Sequence, residues 1–274
     1  MIRYFGIVGL LAVLLTTACS PERKLAHTYL KQYKGNGIMI VPLFELYKDN
    51  LTINYDTNQK YSDEQFDSIA WAQSCYMQYI SDSVFLTNFT NSLINELNTI
   101  GFDVYVDGSS DLFLALPDPK WMVQIAQLQL NEKYSNDSRQ AFSLTDGESY
   151  YKDFRVNQVS LDSWFEVSRA NTKNKQVLYL NGYIQDNLKV GIDFDVIEGR
   201  AGLLANRDSI TIDDVYRMAD ESGKKHAELL FDYFLNDYIR ENLPPGIINR
   251  QYFHYDQAAR SLKRGLKQRF DVVN

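Results

Sequence analysis

Residues 82–106 read DSVFLTNFTNSLINELNTIGFDVYV, and this stretch decides the fold class. Leu86, Phe89, Leu93, Leu97 and Ile100 recur every three or four positions, which puts them on one side of a helix over 82–100. Gly101 follows where a left-handed cap is needed, a conformation that costs glycine no steric penalty. The period then switches: Phe102-Asp103-Val104-Tyr105-Val106 alternates as a strand does, and Asp107-Gly108 closes it with a turn. Upstream, residues 38–46 (IMIVPLFEL) form a nearly continuous apolar run, as in a strand buried on both faces, with Pro42 marking an interruption or an edge. Strand, helix, strand predicts a parallel pair joined by a crossover.

The rest of the chain extends this unit. Residues 47–61 read as an excursion from the sheet, and Ser62 with Gln65 has the spacing of a capping box that opens a short helix. Beyond Pro117-Asp118-Pro119, residues 121–130 alternate apolar and Gln as a half-exposed strand does. Residues 161–169 and 176–185 form a hairpin around the polar turn Asn171-Thr172-Lys173-Asn174. Thr211 with Asp214 opens a long helix over 213–242, in which Ala219, Gly223, Ala227, Leu230, Phe234 and Tyr238 share a face, and Leu243-Pro244-Pro245-Gly246 stops it. The expectation is a mixed α/β fold: one domain over 38–249, about five strands packed by two long helices.

Composition narrows the function. The chain has 274 residues, 45% hydrophobic and 23% charged, enough to build a core without disulfide staples and too apolar for disorder. The 28 basic residues are outnumbered by 35 acidic ones, and the net charge of −7 has the wrong sign for wrapping nucleic acid.

The first 18 residues are an address. Arg3 precedes an uncharged run over 4–15, and Thr16, Thr17 and Ala18 lead to Cys19, the layout of a cleaved signal peptide, too short for a spanning helix of roughly 20 residues. The segment Leu14-Leu15-Thr16-Thr17-Ala18-Cys19 resembles the lipobox of bacterial lipoproteins, with Thr16 where leucine is usual. That resemblance implies that Cys19 is lipidated and becomes the first residue of the mature chain, tethered to a membrane; Ser20 after it suits sorting to the outer membrane. Residues 19–37, with Gly35-Asn36-Gly37, then read as the lipidated cysteine and a polar spacer. The element order over 38–185 is similar to the small α/β domains of the curli-secretion and penicillin-binding-protein-activator lipoproteins, and no functional residue carries across.

Little in the sequence promises chemistry. There is no Gly-x-Ser-x-Gly, and His27, His226 and His254 have no partner at a telling spacing, so no catalytic residue is nominated. No metal or cofactor motif occurs; Asp193 and Asp195, two apart on a strand, read as a solvated face, and Gly199-Arg200-Ala201-Gly202 as a mobile turn. Cys75, among Trp71, Tyr76 and Met77, reads as a buried, inert thiol. The 19 tyrosines make glycan contact an alternative, with Tyr150 and Tyr151 the local candidates. Residues 250–274 carry six basic residues and two acidic ones and read as a basic amphipathic helix over 256–270, whose Arg260, Lys263, Arg264, Lys267 and Arg269 either stay on the protein or meet an anionic membrane or acidic partner. The functional expectation is a non-enzymatic envelope lipoprotein that binds another envelope protein, ahead of a glycan-binding protein and an unrecognised hydrolase.

Overall fold

A computed structural model describes residues 20–53, 62–143, 147–172, 174–195, 200–249, 251–265 and 267–273. The chain opens with α1 (Pro21–Gln32), followed by β1 (Gly37–Val41), β2 (Tyr47–Asn50), α2 (Asp63–Ala72), α3 (Asp82–Ile100), β3 (Asp103–Tyr105) and α4 (Ser110–Leu114). Two long strands, β4 (Trp121–Phe142) and β5 (Ser149–Arg169), lead to β6 (Lys175–Gln185), β7 (Asn187–Asp195) and β8 (Arg200–Asp208). Helix α5 (Ile212–Asn242), β9 (Tyr252–Asp256), β10 (Ser261–Gly265) and β11 (Asp271–Val273) complete it.

The mixed sheet runs β11-β6-β5-β4-β1-β3, with β2 also paired to β4. The expected parallel pair is present: β1 lies parallel to β3, Ile38 opposite Val104, and also parallel to β4. The sheet has seven strands rather than five. Residues 47–50 rejoin it as β2 instead of leaving it, and residues 271–273 add β11; both strands are too short to print an alternation. Pro42 falls in the gap between β1 and β2, which lie one after the other along β4, and β4 has its own register shift between Ile125 and Gln127.

Helices α1, α3 and α5 cover one face. Val123, Ile125, Leu128 and Leu130 of β4 and Leu161 and Phe165 of β5 turn inward to meet Phe89 and Leu93 of α3 and Phe231 and Phe234 of α5, all buried. Phe89 packs on Phe165, and Trp121 stacks on Phe234 with centroids 4.5 Å apart. Gly101 caps α3 with φ +119°. Gly223 lets α5 touch α3 backbone to backbone: a Cβ there would lie 2.3 Å from Phe89 O.

Two further expectations are corrected and a third is extended. The spacer is a helix. Ser20 caps α1 by accepting from Arg23 N, Pro21 sits in its first turn, and Ala26, Tyr29 and Tyr33 dock on the core, Tyr29 and Tyr33 against Phe231. The basic carboxy-terminal helix is a hairpin: β9 pairs with β10, His254 opposite Lys263, around a turn where Arg260 has φ 46°. The strand expected over 121–130 continues to Phe142 and pairs in register with β5 as a two-stranded arm, on whose outer face the β7–β8 hairpin packs through Val156, Leu188 and Leu203, all buried.

Candidate functional site

One place open to a partner is the free edge of β6, which lies beside a groove. Strand β11 covers that edge only at Val177, Leu178 and Tyr179. From residue 180 to 185, β6 has β5 on one side and, among the described residues, no strand on the other. In an antiparallel pair every second residue turns its N–H and C=O away from its partner, so this edge presents unpaired backbone groups.

A groove of about 370 Å³ runs beside the edge. Its cause is local. The inward positions of β6 are Leu178, Leu180, Gly182 and Ile184, and the side chain missing at Gly182 leaves a gap, where a Cβ would find only Ser222 Oγ at 3.8 Å. Met218, Ser222, His226 and Leu229 of α5 form the floor, while Glu221, Lys225, Arg269 and Asp271 give the rim both signs of charge. Tyr183, 59% exposed, stands on the outer face of the edge.

His226 sits beneath this groove with Nδ1 2.5 Å from Ser222 O, so Nδ1 donates and Nε2 is left as an acceptor. Phe89 and Phe165 pack against the ring at 5.3 and 5.2 Å. Nε2 is buried and finds no hydrogen-bond partner among the described residues. Burial pushes the imidazole pKa from 6.5 down to about 4. The consequence is a stability that depends on pH. The unfolded chain takes up a proton below 6.5 and the folded one only near 4, so His226 costs nothing above 6.5 and destabilises the fold as pH falls through that window. The total is on the order of 3 kcal/mol. Urea unfolding across this range is expected to show a steeper loss in the native chain than in His226→Leu; parallel curves would contradict it.

On the sheet's outer face, amides converge on Asp162. Gln127 donates to Gln129 at 3.2 Å, Gln129 to Asn131 at 3.0 Å, and Asn131 to Asp162 Oδ2 at 2.6 Å. Asn181 Nδ2 and Tyr179 Oη both donate to Oδ1 at 2.5 Å, and Trp164 lies 5.2 Å from the Tyr179 ring. Desolvation, then the hydrogen bond to Asp162 and its charge, push the Tyr179 phenol up to about 12, so the phenol stays a donor. This is a polar floor with aromatic rings at its side, open to solvent.

The residues nominated from sequence are scattered. Tyr151, 73% exposed, and Tyr150, half-buried, lie at the arm tip, Tyr151 being 18 residues of β5 before Arg169 and so roughly 60 Å from that end of the sheet. Neither joins the Asp162 floor. Of the five basic residues, Arg269 is engaged, reaching Asp232 and placing Nε 3.1 Å from His254 Nδ1, and Lys263 pairs with Asp256 at 2.6 Å. Arg260, Arg264 and Lys267 are exposed.

Cys75 is exposed, not buried. Its peptide N–H donates to Glu132 Oε1 at 2.9 Å, which draws the loop backbone inward and leaves the thiol outside; partial desolvation, then the Glu132 charge, raise the thiol pKa. Arg200 opens β8 rather than a turn, and Gly199 and Cys19 lie outside the described residues, as do the side chains of Asp193 and Asp195.

A histidine–carboxylate pair does exist: His254 Nδ1 is 3.1 Å from Asp232 Oδ2. Its geometry is that of a clamp. A Cβ on Gly265 would lie 2.2 Å from His254 Nε2, so the imidazole is pressed between α5 and β10. Asp232 also accepts from Tyr255 N at 2.9 Å, and Asn236 both donates to Phe253 O at 2.7 Å and accepts from Phe253 N at 2.9 Å, taking the part of a strand neighbour. Sequence reasoning missed this clamp; its only signal is two polar residues four apart amid Phe231, Phe234 and Leu235. No group of three or more potential ligands poised for a metal occurs among the described residues.

No protein-family model matches the chain, and no curated protein matches it.

Proposed function

We propose that the chain is an envelope lipoprotein, tethered through Cys19 to the outer membrane, whose α/β domain binds a partner protein rather than performing catalysis. The carrying observation is the free edge of β6 beside its groove. An extended segment of the partner adds a strand there, its main chain pairing with residues 180–185 and one side chain entering the space that Gly182 leaves. A tether suits this role, because confinement to a membrane raises the effective concentration of the pair without any active site.

A photo-cross-linking residue at Tyr183, introduced in cells and activated before lysis, tests it. The expected result is one discrete protein adduct from Tyr183 and none from an equivalent probe at Tyr151. Equal labelling from both positions, or none from Tyr183, would refute it. An adduct to polysaccharide would move the conclusion to glycan binding, which the Asp162 floor beside Trp164 and Tyr179 supports.

A further inference from the structure

Helix α1 begins at a defined corner of the fold. Ser20, the residue after Cys19, caps α1 and donates through Oγ to Gln251 Oε1 at 3.3 Å, so Ser20 is fixed beside the start of β9. The loop leading into β9 holds two exposed isoleucines, Ile247 at 42% and Ile248 at 72% exposure, behind the Pro244-Pro245-Gly246 stop. Exposed cations surround the same corner: Arg23 and Lys24 in the first turns of α1, Arg264 opposite Phe253 in the hairpin, and Lys267 just beyond it. Glu22, the acid in that helical turn, is buried.

From this convergence we infer that the corner is a membrane-contact face: Ile247 and Ile248 enter the headgroup region of an anionic bilayer, while Arg23, Lys24, Arg264 and Lys267 meet its phosphates. The occupant is a lipid surface because three independent features agree. Ser20, next to the lipid-bearing Cys19 of the proposed tether, is held here, Ile247 and Ile248 stand exposed on a loop, and Arg23, Lys24, Arg264 and Lys267 are exposed cations on a chain whose net charge is −7. Each apolar side chain that leaves water and each cation near anionic lipid adds to whatever a lipid at Cys19 supplies. The inference builds on the proposed tether and adds an orientation. Strand β5 runs from this end of the sheet to the arm tip, so Tyr151 projects away from the bilayer by roughly 60 Å.

The test uses the protein isolated from native membranes, carrying Cys75→Ser and an environment-sensitive fluorophore on Ile248→Cys. It is reconstituted into vesicles containing phosphatidylglycerol or made of phosphatidylcholine alone. The expected result is a blue-shifted emission at 248, quenched by lipid-borne nitroxides, stronger with phosphatidylglycerol and weakened by joint Arg23→Glu, Lys24→Glu, Arg264→Glu and Lys267→Glu; the same fluorophore on Tyr151→Cys stays water-like. A water-like signal at 248 in both vesicles, or deeper burial at 151, would overturn the inference. Mass analysis of the same sample separates the two claims. Acylated protein with 248 in water sinks only the contact face, whereas unacylated protein sinks the tether and leaves the face to be read from vesicles added to free protein.

Discussion

Asp232→Ala is expected to release the carboxy-terminal hairpin and to lower stability by about 3 kcal/mol. The Asp232 side chain is fully buried and holds three groups at once: the Arg269 guanidinium, the His254 ring and the peptide N–H of Tyr255. Truncation removes the buried carboxylate that Arg269 and His254 contact and leaves the Tyr255 N–H without its acceptor at a half-buried position. Such one-sided removal costs more than the intact pair contributes, because the surviving partners keep their desolvation penalty. Asp232→Asn retains the bond from Tyr255 and loses only the charge, so it should fall between the two. Hydrogen exchange locates the effect: amides of β9 and β10 are expected to lose protection while those of β4 and β5 keep theirs. Uniform loss, or no loss, would show that the hairpin is held by something other than this clamp.

The second large effect is expected from Gly223→Ala. Alanine ordinarily favours a helix interior over glycine by about 1 kcal/mol. Here the added methyl would lie 2.3 Å from Phe89 O, 2.9 Å from Leu93 N and 3.0 Å from Ser92 Cβ, and the first two are backbone atoms that no rotamer change can move. Helices α3 and α5 must separate, which loosens Phe89 and Leu93 against the core, so a net loss of about 3 kcal/mol is expected. Gly191→Ala in β7, where nothing lies within 4 Å, is the control and should be neutral within about 0.5 kcal/mol. Chemical denaturation of the two variants decides it; equal stability would mean that the helices are not in backbone contact.

The elements legible in the sequence are those whose pattern is local and long. Leu86 to Ile100 at helical spacing with Gly101 behind them, the Ser62–Gln65 and Thr211–Asp214 capping boxes, and the β5–β6 hairpin each state their own structure, and all are present. Misreadings came where tertiary contacts override a local pattern. The stripe Ala258, Leu262, Leu266 and Phe270 mimics a helix face, yet Asp232 and Asn236 of α5 offer the main chain at 253–255 hydrogen bonds that only an extended segment can accept. Residues 20–33 look like a polar spacer because Glu22, Arg23, Lys24 and Lys31 dilute Ala26, Tyr29 and Tyr33, whose stripe has meaning only beside Phe231 and Tyr238. The β6 groove was invisible, since it arises from a side chain that is missing at Gly182 and from a neighbour, β11, that stops at Tyr179. The Asp162 floor was equally hidden: its members come from three strands and meet only through register.

The proposed tether would set where every other contact takes place, and mass spectrometry of the amino-terminal peptide from protein purified out of native membranes tests it most directly. The expected species begins at Cys19 with a diacylglyceryl group on its sulfur. A peptide that begins elsewhere, or at Cys19 with a free thiol, would contradict it.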